Sequence, residues 1–141
     1  MRLRILPTFL LISAFASGPA LAVTEAVPAD QPMKISGVET VCTGASEGAR
    51  TDRRWQAYPT RLEFAGKGGQ YLGDENVTIT GHGKNVSVYC AGPWVLMKLP
   101  KGTYKLSTDV VGVGHKNMTI HVPGRVVVRF PEGGGQVTKS D

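Results

Sequence analysis

Apolar residues recur at every second position along most of this chain, and a period of two builds strands rather than helices. Leu62 and Phe64 alternate with Arg61 and Glu63, and Val77 and Ile79 with Asn76, Thr78 and Thr80. Val86, Val88 and Cys90 alternate with Ser87 and Tyr89. The same holds for Tyr104, Leu106, Thr108 and Val110, for Met118, Ile120 and Val122, and for Val126, Val128 and Phe130. Such strands bury one face and wet the other. Trp94–Leu99 breaks the rule: every residue except Lys98 is apolar or aromatic, which predicts a central strand covered on both faces.

Turn chemistry separates these segments. Gly81-His82-Gly83, Pro100-Lys101-Gly102, Gly112-Val113-Gly114 and Pro123-Gly124 each place glycine or proline between two strand patterns. Seven short strands at regular spacing predict an all-β fold, a single seven-stranded antiparallel β-sandwich. Gly44–Tyr58 shows no alternation and predicts a short helical or irregular arm, with Trp55 tucked against the sandwich.

The first residues read as an export signal. Arg2 and Arg4 precede an apolar stretch too short to span a bilayer, and Ala20-Leu21-Ala22 supplies the small residues that a signal peptidase reads. The expected organisation is a signal peptide over 1–22, a flexible leader over 23–33, a folded domain over 34–131 and a disordered tail over 132–141. Localisation follows as periplasmic or secreted, with no membrane insertion after cleavage. In such an oxidising compartment Cys42 and Cys90, the only two cysteines, are expected to form a disulfide. That bond would pin the arm to the strand carrying Cys90.

Charge excludes little. The formal net charge of +5 falls to +3 once Arg2 and Arg4 are removed, and the surplus is spread along the sequence. Arg53-Arg54 is the only arginine pair, so no basic stripe argues for nucleic acid.

Catalytic patterns are missing from the sequence. His82, His115 and His121 have no metal-ligand spacing, and no serine sits in a nucleophile motif. Asp74-Glu75 follows Gly73 and reads as a solvated turn. Gly66-Lys67-Gly68-Gly69 continues into Gln70-Tyr71-Leu72 rather than a helix, so it reads as a connection and not a phosphate cradle. No catalytic residue, metal or cofactor is expected. The candidate binding residues are Tyr71, Tyr89 and Trp94, expected to be partly exposed, because Tyr and Trp supply contact area at low entropic cost.

The run from Gly68 to Phe130 resembles the exported carboxypeptidase regulatory-like domains of bacteria. Gly69 and Tyr71 precede the Val77–Ile79 strand, the apolar strand ends in Leu99-Pro100-Lys101-Gly102-Thr103-Tyr104, and the last apolar strand ends at Phe130. The resemblance implies a transthyretin-like (prealbumin-like) β-sandwich and an accessory role, with no metal ligands carried over. The expected function is a non-enzymatic binding or accessory domain that contacts a protein or an envelope polymer. The alternative is a carbohydrate-binding module that uses the exposed aromatics.

Overall fold

The computed structural model describes residues 23–131; the expected signal peptide and polar tail lie outside the described residues. Ten strands form two five-stranded sheets. One, sheet A, runs in the order β1 (Glu25–Ala26), β6 (Lys84–Cys90), β5 (Glu75–Gly81), β8 (Gly102–Val110), β9 (Gly114–Val122). The other, sheet B, runs β10 (Gly124–Phe130), β4 (Thr60–Gly66), β7 (Trp94–Met97), β3 (Val38–Thr43), β2 (Met33–Ile35). Their inner faces share one core, including Leu62, Phe64, Ile79, Val88, Val95, Leu106, Ile120 and Phe130.

The all-β, sandwich-like expectation holds, but seven antiparallel strands is corrected to ten strands in two mixed sheets. β4–β10 are the seven segments legible in the sequence, six from alternation and β7 as an apolar run. β10 lies parallel to β4, Gly124 opposite Thr60 and Phe130 opposite Gly66. It returns to sheet B only after the β8–β9 hairpin of sheet A, so it enters β4's side running the same way. β1 is also parallel to its neighbour β6.

The other correction concerns residues 23–33, expected as a flexible leader. Glu25–Ala26 pairs with Val88–Tyr89, Val27 is buried in the core, and Asp30 N–H donates to the Cys42 carbonyl. This segment therefore belongs to the folded unit. It pairs first with the otherwise open edge of β6, where Val27 N–H donates to the Tyr89 carbonyl, and then with Cys42 on β3, neither of which sequence alternation registers.

The turns act as their chemistry demands. β5 and β6 form a hairpin closed by His82 and Gly83, with φ of 49° and 71°. Two positive φ values match the right-handed twist of paired strands. Leu99–Tyr104 does not join paired strands: it carries the chain from β7 in sheet B to β8 in sheet A. Tyr104 is buried and its hydroxyl donates to the Pro100 carbonyl at 2.6 Å, closing that crossover. Gly102 suits that position because its φ of 153° is one that L side chains rarely adopt, and a Cβ would also displace the His82 ring. Cys42 on β3 and Cys90 on β6 form the expected disulfide, joining sheet B to sheet A with Cα atoms 5.5 Å apart.

Candidate functional site

The arm between β3 and β4 builds the most distinctive surface. Ser46 caps the short helix α1 (Glu47–Arg50) by accepting from Ala49 N–H, and Asp52 caps a 3-10 turn (Arg53–Ala57) by accepting from Arg54 N–H. These caps satisfy amide donors that a helix start leaves unpaired. Trp55 is buried against Val41 and Leu96 on the outer face of sheet B, and its Nε1 donates to the Ala49 carbonyl at 2.8 Å. The arm thus lies across the outer face of sheet B as expected, with Trp55 as its anchor. Tyr58 donates to Glu39 at 3.0 Å, and Glu39 also pairs with Lys98 at 2.9 Å. Hydrogen bonds from Lys98 and then Tyr58 hold the Glu39 carboxyl below its usual range. Burial, then the bond to Glu39, pushes Tyr58 up to about 12.

Six arginines occur among the described residues, and all six lie on this face. Arg50, Arg53 and Arg54 come from the arm. Arg61 projects outward from β4, and Arg125 and Arg129 from β10, because their strand neighbours Leu62, Phe64, Val126, Val128 and Phe130 face the core. Parallel pairing sets Arg61 directly beside Arg125. Beneath them Glu63 is 1% exposed; its Oε2 accepts from Arg125 Nε, and its Oε1 lies 3.8 Å from Arg61 Nε. A charge surplus spread along the sequence is gathered in space by the fold.

Each aromatic ring on this face lies against a cation. Arg54 lies 4.5 Å from the Trp55 ring centre, Arg61 4.5 Å from Trp94, Lys98 5.0 Å from Tyr58 and Arg50 5.1 Å from Tyr71. Stacking of this kind fixes a guanidinium plane, and neighbouring acceptors fix it further: Arg54 donates through Nε and Nη2 to Asp52, and Arg50 through Nη1 to the Gly44 carbonyl.

The three candidate binding residues do not form one site. Tyr71 is 46% exposed and meets Trp94 edge-on, ring centres 6.1 Å apart. Trp94, expected to be partly exposed, is only 4% exposed, because Gly44 and Tyr71 close over it. Gly44 has φ of 89°, and a Cβ there would meet Trp94 Cγ at 2.7 Å. Gly44→Ala is therefore expected to lower stability by about 1–3 kcal/mol, read from urea melts, since it adds both strain and overpacking. Tyr89 lies on the opposite sheet, where its hydroxyl donates to Asp74. Beside Tyr71, a cleft of about 220 Å³ is lined by Gly44, Arg50, Tyr71 and Gly73.

The remaining polar groups are dispersed. His115 bonds to Asp109 at 2.7 Å and to Asn117 at 3.1 Å, and His82 packs on Tyr104. Among the described residues no hydrogen bond or ion pair joins either histidine to Asp74 or Glu75, and no three His, Cys, Asp or Glu side chains converge as metal ligands. Glu75 is not in a solvated turn. It opens β5 and faces the core on the same side as Val77 and Ile79. A shallow groove of about 520 Å³ crosses the outer face of sheet A over Thr78, Thr80, Lys105, Ser107, Asn117 and Thr119.

Sequence reasoning picked out Arg53-Arg54 but missed the rest of the arginine face. The outward parity of Arg61, Arg125 and Arg129 was readable; the adjacency of β4 and β10 was not. No protein-family model matches the chain, and no curated protein matches it.

Proposed function

We propose that this protein is an exported, non-enzymatic binding or accessory domain that holds a protein or an envelope polymer against the arm-covered face of sheet B. The observation that carries this reading is the gathering of all six described arginines on that one face, four of the neighbouring rings each backing a cation. A guanidinium presents donors in a planar fork that matches an oxyanion, which an ammonium group does not. The inter-sheet disulfide is compatible with an oxidising compartment, and no helix among the described residues is long and apolar enough to cross a membrane. Kinship with the carboxypeptidase regulatory-like domains is part of the same proposal. It is supported by the Leu99–Tyr104 crossover, whose glycine and tyrosine each have a structural task.

Co-sedimentation with the envelope fraction of the producing cell tests the reading. Arg53 and Arg129 are exposed and have no acidic partner among the described residues, so reversing them spares the fold. The native protein is expected to sediment with the envelope, and the Arg53→Glu/Arg129→Glu variant to stay in solution. Lys84→Glu/Lys105→Glu, on sheet A, should behave as native. Loss of sedimentation in the sheet A variant alone, or in neither variant, would refute the reading.

A further inference from the structure

We infer that the polymer held on this face is an acidic polysaccharide, a chain of sugars bearing carboxylates at repeated intervals. The inference rests on the reading of the arm-covered face as the binding surface and names its partner.

Arginine is concentrated on β4, β10 and the arm. The strands of sheet A carry Lys84, Lys105 and Lys116 and no arginine, whereas the outward cations of β4 and β10 are all arginine; the lysines of sheet B, Lys34 on β2 and Lys98 against Tyr58, lie away from that pair of strands. Arginine matches a carboxylate through two parallel N–H donors; lysine offers a single point charge. The cations of β4 and β10 therefore differ from those of sheet A in donor geometry, not in sign.

Acids and cations on this face lie at different depths. The side chain of Glu63 is 2% exposed while that of Arg125 is 58% exposed, and Asp52 is 25% exposed beside Arg54 at 58%. The acids sit low and hold the guanidinium groups above them. An approaching chain meets the cations first.

The spacing of the arginines suits a chain better than a small anion. Arg125 and Arg129 share one face of β10, four residues apart, which separates them by about 13 Å along the strand. A small anion can engage one of them. A chain with anions at intervals engages both, together with Arg61 beside Arg125 and Arg53 and Arg54 on the arm.

Two other macromolecules fit less well. A folded protein partner needs apolar anchors to bury, and of the large exposed hydrophobic side chains among the described residues, Tyr71 and Val127 are the two on this face, while Val111 lies in the β8–β9 turn of sheet A. A single-stranded nucleic acid needs open ring faces for stacking, but Trp55 and Trp94 are buried and each is capped by an arginine.

Titration calorimetry of the purified protein with polygalacturonate, and with neutral dextran as control, tests the inference. Polygalacturonate is expected to bind, with affinity falling steeply as salt rises. Dextran should not bind. Arg53→Ala/Arg129→Ala should weaken polygalacturonate binding by at least about tenfold, and Arg125→Lys/Arg129→Lys should also weaken it, since charge is kept but the fork is lost. Unchanged thermal melts would show that these variants are folded. Absence of polygalacturonate binding at low salt, or equal binding of dextran, overturns the inference. Arginine-dependent binding of an oligothymidylate strand or of anionic phospholipid vesicles, without polygalacturonate binding, also overturns it while leaving the face as the binding surface. The face itself falls only if envelope sedimentation ignores Arg53→Glu/Arg129→Glu.

Discussion

At pH 8, Glu75→Gln is expected to unfold at a higher urea concentration than the native protein, whereas at pH 4 the two should nearly coincide. Glu75 is fully buried, opposite Cys90 on β6 and Val110 on β8, and neither carboxyl oxygen has a hydrogen-bond partner among the described residues. Burial, with Asp74 beside it adding to the effect, pushes this carboxyl up to about 9. In the unfolded chain the same group ionises near its ordinary value of 4.5. The native state therefore binds more protons than the unfolded state between those two values, and stability must fall as pH rises through that window. The slope for one group is about 1.4 kcal/mol per pH unit, so roughly 3–4 kcal/mol is lost between pH 5 and pH 8. Glutamine does not ionise in either state and should remove that slope. Glu39 and Asp52 act in the opposite direction. Their lowered carboxyls favour the fold above the ordinary carboxylate value and lose that contribution as pH falls. Both are surface pairs whose effect is small and confined to acid. Parallel urea midpoints for native and Glu75→Gln from pH 5 to pH 8 would show that the group does not hold its proton in the fold.

What could be read in advance follows from which faces are wet. β4–β10 announce themselves because most of them alternate polar and apolar residues. β3 is hidden for a physical reason: the arm covers its outer side, so Val41 is buried on one face and Val38 and Cys42 on the other. With both faces dry, no period of two survives. β1 and β2 are two and three residues long, below the length at which a pattern exists. Glu75 was obscured by its neighbours, since Gly73-Asp74-Glu75 has the composition of a turn. Its parity tells otherwise: extending the Ile79, Val77 alternation one step back places position 75 on the core face. Parity was enough to point Arg61, Arg125 and Arg129 outward as well. It does not say that β10 returns beside β4, and the arginine face exists only because of that return.

Reduction of the Cys42–Cys90 disulfide is the other large effect expected, lowering the free energy of unfolding by about 4 kcal/mol for a loop of 48 residues. The chain-entropy argument places this loss in the unfolded state, where reduction frees a long segment that the bond had closed. The crosslinked loop contains the arm, all of β4 and β5 and most of β6. Cys42 and Cys90 belong to sheets that also share a large apolar core, so the reduced protein should remain folded at moderate temperature and keep the Trp55 environment. Urea melts with and without a phosphine reductant, followed by tryptophan fluorescence, measure the difference directly. A midpoint lowered by the expected amount, with unchanged native fluorescence, would locate the effect in chain entropy. Reduced and oxidised melts that superimpose would mean that residual structure in the denatured chain already keeps the ends of the loop close without the bond. A native fluorescence spectrum that shifts on reduction would instead mean that the bond also holds the arm in place, because Gly92 and Trp94 follow closely after Cys90 and Gly44 lies against the Trp94 ring.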